Sequence, residues 1–79
     1  MNITNKNQVS IYIRPNAPYM DGKLDDVKPC KCGCKELNAG GEPNFEWWQD
    51  IIECRSCRRK IGSGTEGLRF LVEKWNEND

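Results

Sequence analysis

Four cysteines stand in two close pairs, Cys30 with Cys32 and Cys54 with Cys57, and a fifth, Cys34, follows the first pair. Two side chains from a tight turn direct two sulfurs at one ion, and two such turns complete a tetrahedron with metal–sulfur distances near ~2.3 Å. The chain needs such a cross-link. Its 79 residues are only 37% apolar, and below roughly 80 residues a single core rarely supplies more than ~3–5 kcal/mol. The spacing therefore predicts a small α+β zinc ribbon: two cysteine knuckles on a short antiparallel β-sheet, with one structural Zn²⁺ replacing part of a hydrophobic core.

Disulfides are the competing explanation, but five cysteines is an odd number. The segment after Met1 is Asn-rich and polar rather than a signal peptide, and no run approaches the ~20 apolar residues that cross a bilayer. A cytoplasmic chain with reduced thiols is expected, where closely spaced cysteines more often bind metal than bridge.

The second pair, Cys54-Arg55-Ser56-Cys57, has the usual two-residue gap. The first is ambiguous, because Cys30-Lys31-Cys32-Gly33-Cys34 offers three thiols. Glycine directly after the second ligand lets the backbone turn its amides toward sulfur, which favours Cys30 with Cys32. Cys30 with Cys34, at a gap of three, is the alternative and lies inside the ordinary range.

Around the knuckles, Met1 to Gln8 reads as a polar, fraying start. Val9, Ile11 and Ile13 alternate with polar neighbours as in a strand over 9–14, and residues 15–29, with Pro15, Pro18, Gly22 and Pro29, read as a linker or wrapping loop. The expected division is thus an extension over 1–27 and a ribbon domain over 28–79. A strand from Lys35 to Ala39 is expected to reverse at Gly40-Gly41-Glu42-Pro43-Asn44 and return from Phe45 to Glu53, with a brief third strand at Lys60 to Gly62. On the return strand Trp48 and Ile52 share the parity of Cys54, so Trp47 faces away and is a candidate anchor for a partner. Leu68, Leu71, Val72 and Trp75 form the apolar stripe of one C-terminal amphipathic helix, with Ser63 and Glu66 at capping-box spacing and Thr65 as a second N-cap.

Net charge is zero, from 12 basic and 12 acidic residues, which argues against both a DNA mimic and a non-specific DNA coater. The charge is nevertheless sorted. Arg55, Arg58, Arg59 and Lys60 cluster at the second knuckle, and acids dominate between the knuckles. Such a cluster either balances the charge of about −2 left by four thiolates around Zn²⁺ or contacts nucleic acid.

Lys28-Pro29-Cys30, Cys32-Gly33, the aromatic strand into Cys54 and Cys57, and a helix ending in Trp75-Asn76 together resemble the restriction alleviation (Lar-like) zinc-ribbon proteins of phages and prophages. The resemblance spans Lys28 to Asn76. Its first knuckle is one residue shorter than usual for the family, and Arg58 stands where the family has glycine after the second. The resemblance implies a phage-encoded protein in the host cytoplasm that binds a host protein, chiefly a type I restriction-modification enzyme, and helps incoming DNA escape restriction.

Three functions are thus in view: an adaptor or inhibitor of a host defence or nucleic-acid-handling protein, a nucleic-acid-binding regulator, and a rubredoxin-like electron carrier holding iron. Catalysis is not expected, because histidine is absent and four thiolates leave zinc no open position. An unpaired strand over 9–14 would invite oligomerisation through its edge.

Overall fold

A computed structural model of the chain describes residues 2–14, 24–64 and 66–77. Five strands and one helix follow in order: β1 (Asn2–Thr4), β2 (Ser10–Ile13), β3 (Glu36–Asn44), β4 (Trp47–Cys54), β5 (Lys60–Gly62) and α1 (Leu68–Asn76). They make a small α+β fold with a single sheet in sequence order, and α1 packs against it. Among the described residues no helix is long and apolar enough to cross a membrane.

The sheet is mixed rather than antiparallel, because β2 and β3 run parallel, with Ile11 opposite Leu37 and Ile13 opposite Ala39. A parallel pair needs a crossover of a dozen residues or more, and the long connection from 14 to 35 supplies it. Its first part, residues 15–23, lies outside the described residues. Its second part is a wrapping segment that buries Leu24 and Val27 in the core.

The polar stretch from Asn2 to Gln8 does not fray, and Met1 lies outside the described residues. Thr4 pairs with Ser10 and Ile3 with Ile11, and the intervening loop is tied down by the buried Asn5. Asn5 accepts the Asn7 and Val9 N–H groups and donates to the Val27 carbonyl at 2.9 Å. A buried amide that meets its own loop and a distant carbonyl fixes both segments. With β1 on one side and β3 on the other, the strand expected over 9–14 is interior, so its edge is not open to a second chain.

One face of the sheet carries Ile11, Ile13, Leu37, Ala39, Ile52 and Cys54, with Leu71 and Trp75 of the helix in the same core and Leu68 and Val72 packed at its margin. This is the stripe spaced for a 3.6-residue period. The helix begins later than its capping signals suggested. Gly67 at φ 99° is the N-cap, and no side chain caps the helix. Ser63 is instead buried in the sheet margin, where its Oγ accepts the Asp50 N–H at 3.0 Å. Thr65 lies outside the described residues.

Gly40 to Asn44 does not form the turn. These residues continue β3, Asn44 pairs with Trp47, and Phe45-Glu46 makes a two-residue loop. Phe45 takes φ 58°, the sign that a type II′ turn needs at its first central position. Gly40 serves close approach instead: a Cβ there would meet the Arg14 side chain at 2.7 Å, and Arg14 crosses it to reach Glu53 at 3.6 Å.

Candidate metal centre

The first knuckle is a loop between the wrapping segment and β3. Cys30 N–H donates to the Cys34 carbonyl at 3.0 Å, Gly33 N–H returns to the Cys30 carbonyl at 2.8 Å, and Gly33 makes the bend at φ 96°. The second knuckle closes β4. Cys54 N–H donates to the Arg59 carbonyl at 2.8 Å, while the Ser56 and Cys57 N–H groups both aim at Cys54 Sγ at 3.3 Å. Arg58 occupies the position that glycine holds in the first knuckle and takes φ 69°. The same left-handed bend is thus made without glycine.

These two turns bring Cys30, Cys32, Cys54 and Cys57 together, with all four sulfurs within 4.8 Å of one another. Cys30 and Cys57 Sγ are 3.5 Å apart, and Cys32 and Cys54 Sγ 3.6 Å. A tetrahedron with metal–sulfur bonds of ~2.3 Å has edges of about 3.8 Å, so the donor set fits one ion. A disulfide needs ~2.05 Å, and all five cysteines are free. Cys34 stands apart, with its Sγ on the Glu36 backbone at 3.4 Å.

Burial alone would raise the Cys54 thiol, but the Cys57 and Ser56 amides outweigh it and bring it down to about 6. Cys30 is lowered despite its burial, through the Cys32 amide and the Cys57 thiol. Cys32 moves the other way, up to about 12: the Cys34 amide favours its thiolate, but desolvation and the other three thiols prevail. Cys57 is also raised, because the neighbouring Cys30 and Cys54 sulfurs and desolvation outweigh the Arg59 amide. The metal-free site is thus a mixture of thiolate and thiol, and an ion entering it displaces protons.

The helix C-terminus holds both knuckles in place. Trp75 Nε1–H donates to the Lys28 carbonyl at 3.0 Å, Asn76 Oδ1 accepts Lys28 N–H at 3.0 Å, and Asn76 Nδ2 donates to the Asp26 carbonyl at 2.8 Å. From the other knuckle, the Arg59 guanidinium lies 4.1 Å above the Trp75 ring and donates to the Trp75 carbonyl at 3.1 Å. Trp75-Asn76 therefore ties the chain just before Cys30 to the chain just after Cys57. Spacing identified Trp75 as a core residue and the resemblance singled out Trp75-Asn76, but neither gave Asn76 its role as a backbone clamp, and nothing marked Asn5.

The basic cluster is largely engaged within the fold. Arg55 stacks 4.1 Å over Tyr12, Arg59 covers Trp75, and Lys60 donates to both oxygens of Glu42 at 2.9 and 3.1 Å. Arg58 projects outward. At the far end of β4 both tryptophans are exposed, Trp47 by 40% and Trp48 by 59%, beside Phe45 at 92%. Trp48 shares the face of Ile52, yet it lies beyond the part of that face that the helix covers. No protein-family model, no curated protein and no solved structure matches this chain.

Proposed function

We propose that this chain is a non-enzymatic binding module of the zinc-ribbon type. One Zn²⁺ held by Cys30, Cys32, Cys54 and Cys57 fixes the fold, and the aromatic end of the β3–β4 hairpin engages a protein partner. Zinc is supported by a closed set of four sulfurs at tetrahedral spacing, which supplies a structural cross-link and leaves no position for water. The partner surface rests on one observation: two tryptophans and a phenylalanine exposed together at one hairpin end. Contiguous exposed aromatics mark interaction sites, and Trp is enriched among residues that dominate binding energy.

The resemblance of Lys28 to Asn76 to restriction alleviation proteins makes a host type I restriction-modification enzyme the partner of first choice. Nucleic-acid binding is the weaker reading, because three of the four basic side chains at the second knuckle are already committed to Tyr12, Trp75 and Glu42. Capture from host lysate by the zinc-loaded chain, with identification by mass spectrometry, tests the proposal. Trp47→Ala should weaken the recovered complex by about 2 kcal/mol or more, and Arg58→Glu should leave it unchanged. Submicromolar, steeply salt-dependent binding to duplex or single-stranded nucleic acid that is lost with Arg58→Glu would overturn it.

A further inference from the structure

Among the described residues, the β3–β4 hairpin extends beyond its paired neighbours on both sides. β2 pairs only with Glu36–Ala39 of β3, and β5 only with Ile51–Glu53 of β4. Past Gly62, Ser63 N–H still donates to the Asp50 carbonyl at 2.8 Å, and the chain then leaves the ladder at Gly64, φ 61°. Backbone groups of alternate residues in a strand point to the same side. Cys54 and Asp50 bond toward the β5 side, so the Trp48 N–H and carbonyl face the same edge, where no described strand lies beyond them.

The two edges of the hairpin are not equivalent. On β3, Ala39 accepts from Arg14 on the β2 side, so alternation places Pro43 toward that edge, and a proline there has no N–H to offer a new strand. On β4 the edge is Trp47, Trp48 and Gln49, with no proline. Among the described residues, one edge is blunted and the other has no strand paired to it.

The chemistry beside the open edge specifies its occupant. Tyr12, Phe70 and Trp75 each carry a cation over the ring, from Arg55, Lys74 and Arg59. Among the described residues no cation lies over Phe45, Trp47 or Trp48, and none pairs with Glu46, Asp50 or Glu66. Trp47, Trp48 and Asp50 line one shallow surface hollow with Ser63 and Gly64, and Trp47 and Glu66 line its neighbour, where Lys74 is the one cation among the described residues and lies over the Phe70 ring. Exposed aromatic rings beside carboxylates suit guanidinium or ammonium groups.

We propose that the Trp47–Asp50 edge of β4 takes an extended, Arg- or Lys-bearing segment of the partner protein as an added strand, paired through the Trp48 backbone with its cations on the Trp47 and Trp48 rings. Main-chain bonds supply affinity in this mode, and alternate side chains supply selectivity. The proposal rests on the reading of the hairpin end as the partner surface and adds the mode and chemistry of the contact.

The test uses the zinc-loaded full chain and a short capped peptide with two adjacent central Arg residues flanked by Val, so that one Arg side chain lies on each face of the added strand. Two further versions of the peptide are N-methylated at one or the other of two adjacent central amides, and a fourth replaces Arg with Glu. Saturable amide shifts are expected at residues 47–50 and 63–64, with slowed hydrogen exchange at Trp48. One methylated peptide should bind roughly 2- to 10-fold more weakly, the worth of one main-chain hydrogen bond, and the Glu peptide should not bind. Asp50→Asn should weaken the Arg peptide several-fold without lowering the melting temperature, since partial burial already disfavours the Asp50 carboxylate. An unchanged Trp48 amide, or two methylated peptides that bind like the parent, overturns strand addition. If Trp47→Ala still abolishes capture of the host partner in that case, the binding-module reading survives and only the mode falls.

Discussion

Trp75→Phe isolates what the indole contributes beyond its bulk. The ring is 2% exposed, its Nε1–H meets the Lys28 carbonyl at 3.0 Å, and Arg59 lies 4.1 Å above it. Phenylalanine keeps a ring in the core but removes the donor and part of the cation–π attraction, which are worth about 1 kcal/mol and about 0.5–1 kcal/mol. The smaller ring also leaves a void, so the expected loss is about 2 kcal/mol. For a domain of this size each kcal/mol shifts the melting temperature by ~4–8 °C, giving a fall of about 8–16 °C. Trp75→Ala should cost about 3–5 kcal/mol, comparable to all that a core below ~80 residues supplies without its metal. Thermal melts of the zinc-loaded variants followed by far-ultraviolet circular dichroism measure both. A Phe variant that melts within ~2 °C of the parent would show that the helix is not held through the Lys28 carbonyl and Arg59.

Removing zinc with a chelator should abolish the cooperative transition, and native mass spectrometry should show one zinc per chain; a metal-free chain with unchanged melting would sink the zinc-ribbon reading. Cys32→Ser should be as damaging as Cys54→Ser or Cys57→Ser while Cys34→Ser is mild, since only Cys34 Sγ lies outside the sulfur cluster; metal titration of the four variants reads this directly. Arg58→Gly should raise stability by about 0.5–1 kcal/mol, the ~1–2 kcal/mol cost of a left-handed L-residue less the entropy that glycine adds to the unfolded chain; a lower denaturation midpoint would contradict it. Zinc binding at pH 7 should release at least the two protons of Cys32 and Cys57, whose thiols lie above their ordinary value. The unfolded chain then binds more protons than the loaded fold, so stability rises with pH and is lost as pH falls. Calorimetry in buffers of different ionisation enthalpy counts the protons.

Features with a local physical cause were legible in the sequence. The helix stripe Leu68, Leu71, Val72 and Trp75, the strands flanking the second knuckle and the clustering of cysteines all follow from periodicity or from ligand spacing. The misreadings came from contacts between distant residues. Gly40-Gly41 has the composition of a turn, but Gly40 lies where the Arg14 side chain crosses β3, and that contact has no signature along the chain. Asn5 reads as one more polar residue in a fraying start, because its partner carbonyl is at Val27. The parallel pairing of β2 with β3 likewise depends on how the long crossover returns, which hydrophobic alternation does not encode. Ser63 and Glu66 have capping spacing, yet the Ser63 hydroxyl is taken by Asp50 N–H.

The placement of Cys54 and Trp47 at opposite ends of β4 separates two tasks. At ~3.3 Å per residue the seven steps between them span about 23 Å, well beyond the Debye length of ~8 Å at physiological ionic strength. A charge held at the cysteine cluster therefore has little direct influence on a ligand at the hairpin end, and the cluster acts there through the geometry of β4. That geometry is fixed at the cysteine end by the knuckles, the Arg59 contact and the Trp75-Asn76 clamp, and it is progressively released toward Phe45 as β2 and β5 stop. Under the proposal, a strand anchored at one end, with no described strand paired to it at the other, takes a new neighbour without unfolding the sheet. Substitutions at the tip should consequently alter binding with little effect on metal affinity, whereas substitutions at the clamp should alter both.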